Sequence, residues 1–209
     1  QRRAIVNIGG IANVTLLDGH RVVAGFDCGP GNTLLDAWVH QHRGDRCDAH
    51  GAWAGEHTAD SALLSALMQD AYFQRAGPRS TGPDHFNLGW LEPQLPDDIN
   101  PGDVQATLAE LTVHAIVESL GEHEVPEAIF VCGGGARNTD LMRRLHTRIQ
   151  GARIRLGTTD ELGIDAEWVE ASAFAWLAKR TLDHLAGNEP VVTGASGARV
   201  LGGVYAGGA

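Results

Sequence analysis

The first 38 residues admit few folds. RAIVNIGG (residues 3–10), IANVTLL (11–17) and VVAGFDC (22–28) are three segments rich in β-branched residues, separated only by Gly9-Gly10 and by a short link around Asp18-Gly19. Connections this short, Asp-Gly above all, join antiparallel neighbours, so a three-stranded meander is expected. Gly29-Pro30-Gly31 then turns the chain sharply. From Asn32 onward Leu34, Leu35, Trp38 and His42 recur at three- and four-residue spacing until Gly44, the pattern of an amphipathic helix.

The remainder alternates helix with strand. Residues 45–100 read as an insertion. It holds one helix, with Leu63, Leu64, Leu67, Met68, Ala71 and Tyr72 on one face, then the loop RAGPRSTGPDHFN and an exit punctuated by Pro93, Pro96 and Pro101. Residues 103–120 are helical, with Val104, Leu108, Leu111 and Ala115 in a stripe and Asp103 near the start. EAIFVCGGG (127–135) is a buried strand running into glycines. Asn138 caps a helix that turns Leu141, Met142 and Leu145 inward, and ARIRLG (152–157) is a further strand. Asp165 is expected to cap a long helix whose Trp168, Ala171, Phe174, Ala175, Ala178, Leu182 and Leu185 face other elements, and the tail from about 189 reads as turn and coil.

With the insertion set aside, the order β-β-β-α-β-α-β-α is that of an α/β ribonuclease-H-like lobe, in which antiparallel hairpins are extended by parallel strands into a mixed sheet with helices on both faces. Actin, hexokinase and the 70-kDa chaperones are built from two such lobes around a nucleotide. The lobe is expected to comprise 1–44 and 101–209, interrupted by a helical and loop insertion at 45–100. Fold order alone assigns no function.

Composition narrows the partners. The net charge is −10 and no Lys/Arg-rich block occurs, which argues against nucleic-acid binding. No apolar run reaches membrane-spanning length, so no membrane partner is expected. Cys28, Cys47 and Cys132 form an odd, sparse set unlike a disulfide framework, which favours a reducing cytosol. An anionic ligand would have to be held by backbone N–H groups, a metal or a few arginines.

Two glycine turns answer that requirement. In NIGGIAN (7–13), Gly9-Gly10 is either a tight turn or a backbone that approaches a phosphate closely because no Cβ intervenes. Asn7 and Asn13 flank it and are placed to orient water or sugar hydroxyls. In GFDCGPGN (25–32), Gly29, Gly31 and Asn32 lead into a helix N-terminus with its unpaired donors and partial positive charge. Asp27 beside them is unexpected, because Asn32 and Thr33 already supply capping oxygens. A carboxylate next to a phosphate site holds Mg²⁺ through water or takes a proton from an attacking nucleophile. In VCGGGARN (131–138), Gly133, Gly134 and Gly135 exceed what a turn needs and suit an adenine or ribose lying against backbone.

Other clusters say less. His40, His42, Cys47 and His50 match no zinc spacing, and i,i+2 histidines on a helix point apart, so a solvated helix end is expected and no metal site. The loop Arg79-Ser80-Thr81-Gly82 is either simply polar or reaches a sugar or phosphate. Glu170, in the first turns of the last long helix, either offsets the macrodipole or bonds a sugar hydroxyl or ring oxygen.

Taken in order, NIGGIANVTLL, GFDCGPGNTLLDAW, GAWA, RSTGPDHFNLGWL, DVQATLAELT, VCGGGARNTDLM and TTDELGI…WVEASAFAWLA resemble the anhydro-N-acetylmuramic acid kinases of bacterial cell-wall recycling. The resemblance implies an ATP- and Mg²⁺-dependent sugar kinase that opens the 1,6-anhydro bridge and phosphorylates O6. It implies Asp27 as general base, Glu170 as a sugar ligand, NIGG and GPGN facing phosphate, CGGGARN holding adenosine, and a cytoplasmic homodimer. The family's GTSxDGxD phosphate loop and its N-terminal lobe do not occur here, so the chain resembles the C-terminal portion and is expected not to turn over alone. Another sugar or acetate kinase of the superfamily, or a nucleotide-binding module without sugar chemistry, are the competing readings.

Overall fold

The structure, a computed structural model, describes residues 1–75 and 78–205. Two residues of the 75–87 loop and the last four of the tail expected as coil lie outside the described residues. A five-stranded sheet in the order β3-β2-β1-β4-β5 forms the centre. Strands β1 (Arg2–Ile8), β2 (Ile11–Asp18) and β3 (Arg21–Pro30) make the expected antiparallel meander, and β4 (Ala128–Cys132) and β5 (Arg155–Thr158) add in parallel to β1. This is the ribonuclease-H-like arrangement expected from the element order.

Alternation decides which side is core. Ala4, Val6 and Ile8 of β1 and Ala12, Val14 and Leu16 of β2 are buried on one face, while Ile5, Asn7, Asn13 and Thr15 stay half-exposed on the other. The buried face carries helices α1 (Asn32–Arg43), α2 (Ala52–Gly55), α3 (Ser61–Leu67), α4 (Leu88–Leu91), α5 (Pro101–Gly121) and α6 (Thr139–Ile149) around a common core. α5 is its axis: Val104, Leu108, Leu111 and Ile116 are fully buried. Asn100, rather than Asp103, caps α5, and Asn138 caps α6 as expected, accepting from the Leu141 N–H at 3.0 Å.

The opposite face departs from expectation. α7 (Val169–Leu182) has no buried residue; Trp168 is 65% and Phe174 64% exposed, and Ala171, Ala175, Ala178, Leu182 and Leu185 are exposed as well. Asp165 does not cap it: its Oδ1 accepts from Glu167 N–H at 2.8 Å, and the helix begins four residues on without a side-chain cap. The apolar pattern was read as a face against other elements, but apolar periodicity signals an amphipathic surface and not what covers it. Among the described residues, the sheet's second face is met by the N-terminal turn of α7, across a cavity, and by a short helix in the expected coil, α8 (Pro190–Thr193), whose Val192 rests on Gly25.

Residues 45–100 are packed into the same core through Trp53, Leu63, Leu67, Tyr72, Phe86 and Leu91. The helix read through Tyr72 stops at Leu67, because Asp70 takes the Tyr72 N–H at 2.8 Å in an Asx-type turn. Asp70 also accepts from Trp90 Nε1 at 2.8 Å and meets His85 Nε2 at 3.2 Å.

The two glycine turns at the ends of β1 and β3 are locked together. Gly31 and Thr33 donate to the Gly10 carbonyl at 2.9 and 3.0 Å, and Asn32 donates to Gly9 at 2.8 Å. A Cβ on Gly31 would overlap the Gly9 carbonyl oxygen.

Gly31→Ala is therefore expected to destabilise by about 1–3 kcal/mol in urea unfolding, whereas Gly151→Ala, with nothing within 4 Å, stays within about 0.5 kcal/mol. Burial alone would raise the Asp70 carboxyl, but its hydrogen bonds from Tyr72, Trp90 and His85 hold it below the usual carboxylate value. A folded pKa below the unfolded one gives stability that is present above about pH 4 and is lost as pH falls through the folded value. Asp70→Ala should cost about 2 kcal/mol at pH 7, with the gap to wild type narrowing in unfolding curves measured below pH 4.

Candidate functional site

The half-exposed sheet face carries a polar row. Cys132, Asn7, Asn13 and Asp27 are aligned by register across β4, β1, β2 and β3. Asp27 ends the row at a bulge: Ala12 pairs with Gly29 and Asn13 with Asp27, so Cys28 is the extra residue. A bulge bends the strand and re-aims its side chains. Cys28 turns into the core, where burial pushes its thiol up to about 12.

Asp27 is held on three sides. Its N–H donates to the Arg79 carbonyl at 3.0 Å, and its own carbonyl accepts from the Tyr72 hydroxyl at 2.7 Å. Its Oδ2 accepts from Ser80 Oγ at 3.0 Å and Thr81 N–H at 2.9 Å. No hydrogen bond among the described residues reaches Oδ1. The loop read as polar or ligand-reaching thus grips Asp27 itself. The signal was RSTG next to a glycine; its target was not visible because 53 residues separate Ser80 from Asp27.

The glycines divide by where their bare sides face. Gly9 and Gly10 give their carbonyls to the turn before α1, and their N–H groups have no partner among the described residues. This differs from the expectation for GPGN: the donors of Gly31, Asn32 and Thr33 are already taken by those carbonyls, and Asn32 Nδ2 donates to Ile8 O at 3.1 Å rather than capping. Gly29 faces Phe73 and Ala115, and Gly135 faces Ile8. Gly133 takes φ +78° with Asn7 against it, so a side chain there would be both strained and blocked.

Two cavities adjoin these turns. One, of about 500 Å³, lies on the polar row between the sheet and the start of α7, lined by Asn7, Gly9, Asn13, Gly133 and Glu170. The other, of about 370 Å³, is lined by Asn32, Asp36, Cys47, His50 and Arg137. Gly134 and Glu167 border both. Of the expected site residues, Glu170, Gly9 and Gly133 share the first cavity, Asn32 lies on the second, and Gly134 joins them. Gly10, Gly29, Gly31 and Gly135 line neither, and Asp27 stands beside the first, one strand beyond Asn13.

The second cavity was missed by the sequence reasoning, which weighed its Cys47–His50 wall only as a zinc pattern. His42 instead lies tilted against Trp38, ring centroids 4.0 Å apart, and His50 meets the Arg137 carbonyl at 3.2 Å. Asp36 is raised by burial and by the nearby Asp48, which makes this wall unfavourable to a further negative charge. Asp48 itself accepts from the N–H groups of Trp53 and Ala54 at 2.9 Å each. Arg137 crosses to Glu167 at 2.6 Å at the rim, and that hydrogen bond raises it further.

Among the described residues, no helix is long and apolar enough to cross a membrane. The solved structure of the activator of 2-hydroxyisocaproyl-CoA dehydratase from Clostridium difficile, with bound ADPNP, matches with a TM-score of 0.51 at 15% identity, over 80% of this chain and 56% of that one. That likeness concerns the fold alone. Anhydro-N-acetylmuramic acid kinase of Pseudomonas fluorescens (strain Pf0-1) is 50% identical over 208 residues, 97% of this chain and 56% of its own length. The protein of the same name from Nitrosomonas europaea is 47% identical over 204 residues, with the same coverages. The chain spans a little over half the length of the curated relatives it matches. With the family description "Anhydro-N-acetylmuramic acid kinase" matched over residues 1–207 as well, the chain belongs to the anhydro-N-acetylmuramic acid kinase family.

Proposed function

We propose that this chain forms one wall of an ATP-dependent kinase that hydrolyses the 1,6-anhydro bond of anhydro-N-acetylmuramic acid and phosphorylates O6. The observation that carries the reading is Asp27, with Oδ2 tied down and no hydrogen bond to Oδ1 among the described residues, in register with Asn7 and Asn13 and near the Gly9-Gly10 turn, whose N–H groups have no partner among the described residues. A base has to reach a water or hydroxyl, while an oxygen fixed by two donors keeps the other aimed.

The chemistry assigns roles to residues. Asp27 removes a proton from a water that attacks the anomeric carbon. The C1–O6 bond breaks, O6 takes up the γ-phosphoryl group, and ADP leaves. The N–H groups of Gly9, Gly10 and Gly134 face the phosphates, where fixed dipoles stabilise transferring charge without reorganisation. The carboxylate-lined cavity at Asp36 and Asp48 suits the uncharged adenosine end, its carboxylates accepting from ribose hydroxyls. Glu170, on the cavity over the polar row, is the sugar ligand. Mg²⁺ would be held chiefly by phosphate and water in kinases of this kind and would neutralise phosphate charge there, which leaves Asp27 Oδ1 to the base role. The opposite wall, which would grip the phosphates from the other side, corresponds to the length of the relatives beyond the matched stretch. A bacterial cytoplasm and a homodimer fit this reading.

Full-length protein and its Asp27→Asn variant, given ATP and the anhydro sugar in ¹⁸O-water, test it by mass spectrometry. The wild type should place the label on the anomeric oxygen, and the variant should lose about 10²- to 10⁴-fold in kcat. A wild type that binds ATP yet makes no product would move the nucleotide-binding-module reading to the front.

A further inference from the structure

The loop at residues 79–81 and its anchor have no assigned role. Asp27 lies on β3, the edge strand of the sheet, where one row of backbone groups lacks a neighbouring strand. The loop fills that place: Arg79 C=O accepts the Asp27 N–H, and the next two residues donate to Oδ2. A loop so short keeps its position only if something fixes it from behind.

Arg79 supplies that fixing. Its side chain is buried beside the C-terminal end of α5, where Nη2 donates to Ser119 Oγ at 2.9 Å and Nη1 to Oε1 of Glu122, the residue after the helix, at 2.9 Å; Nη1 also donates to the carbonyl of Arg75 in its own loop at 2.6 Å. The guanidinium lies over the rings of Phe26 and Tyr72, at 5.7 and 5.4 Å from their centroids. Phe26 precedes Asp27 in β3, and Tyr72 donates to the Asp27 carbonyl. One buried cation therefore touches the strand residue before Asp27, the tyrosine that bonds Asp27, and, through its own backbone, Asp27 itself. An arginine serving only a surface loop would keep its head in water; taking it out of water is tolerated only with its partners in place.

We propose that Arg79 and Ser80 are positioning residues for the reaction: Arg79 straps residues 79–81 to α5, and Ser80 Oγ with the Thr81 N–H turns the Asp27 carboxylate so that Oδ1 faces the reacting water. A carboxylate's last torsion is broad, so without donors on Oδ2 the carboxylate plane swings through intermediate angles and an oxygen is less often aimed at the water. The inference rests on Asp27 being the base and names what aims it.

Steady-state kinetics of the full-length protein test it, with Ser80→Ala, Ser80→Thr, Arg79→Lys and Asp27→Asn compared side by side. Ser80→Ala should lower kcat about tenfold, the value of one lost hydrogen bond to a charged group, with both KM values within about twofold. Ser80→Thr keeps the hydroxyl and should restore most of the rate. Arg79→Lys keeps the charge but not the planar fork, and should lower kcat at least as far with little change in KM. Ser80 is exposed, so its variant decides the matter even if Arg79→Lys melts early. Wild-type kcat in Ser80→Ala, with Asp27→Asn inactive, would overturn the inference alone. A raised KM at unchanged kcat would make Ser80 a substrate contact and overturn it too. An Asp27→Asn variant as active as wild type would remove the base and this inference with it.

Discussion

The contact on which the site depends is between two backbone turns. The carbonyls of Gly9 and Gly10 accept the N–H groups of Gly31, Asn32 and Thr33, so the first donors of α1 are satisfied by the β1–β2 turn instead of by a side-chain cap. This has two consequences. The start of α1 is fixed to the sheet by three hydrogen bonds, which accounts for a helix without a capping side chain. The peptide units are also oriented: C=O and the following N–H are antiparallel, so the Gly9 carbonyl turned toward α1 sends the Gly10 N–H away from it, and the Ile8 carbonyl, bound by Asn32 Nδ2, does the same for the Gly9 N–H. On the proposed reading, the anion-facing surface is the turn itself, with the helix dipole behind it.

That arrangement explains how a carboxylate tolerates so close a neighbourhood. Asp27 belongs to a different strand from the donors of the Gly9-Gly10 turn, and the bulge at Cys28 separates it from the tight turn at Gly29–Gly31. Its charge is offset by its own donors, Ser80 and Thr81, so it does not compete for the N–H groups a phosphate would use. The arrangement depends on the buried guanidinium of Arg79, held by the partly exposed Glu122, by Ser119 and by the Arg75 carbonyl. A site residue on an edge strand is thereby stiffened by a segment inserted between α1 and α5.

The elements that local chemistry determines were legible in the chain. β-branched runs, Asp18-Gly19, the Leu34–Trp38 spacing and the Asn138 cap all act within a few residues, and the structure has them where that chemistry puts them. The antiparallel meander followed from connection lengths, and the parallel extension of the sheet from the order of elements. What was not legible acts across distance. The Oδ2 donors of Asp27 come from 53 and 54 residues away, the donors of Asn32 and Thr33 are met by carbonyls 23 residues back in the chain, and the acidic cavity joins Asp36 to Arg137. The apolar face of α7 was visible as a pattern, yet a pattern carries no information on the covering element. Glu170 was placed correctly in the first turn of α7, although the cap assumed for that helix was wrong.

Topology gives an independent reason for ligands to gather where the glycines are. β1 and β4 are adjacent parallel strands, and the chain leaves them in opposite directions across the sheet, to β2 on one side and by way of α6 to β5 on the other. At such a switch point the two connections diverge and leave a crevice outside the carboxyl ends of the strands. Both glycine turns sit there: Gly9-Gly10 follows β1 and Gly133-Gly134 follows β4, with Asn7 and Cys132 paired immediately before them. The close packing of Gly133 on Asn7 and of Gly135 on Ile8 draws the two connections together at the sheet, where Gly9, Gly133 and Gly134 line one cavity. Large side chains at Gly133 or Gly135 would separate the turns before they blocked a ligand. The glycines of the second turn are thus required first for the joint between two parallel strands, and the phosphate-facing surface proposed above would be a consequence of that joint.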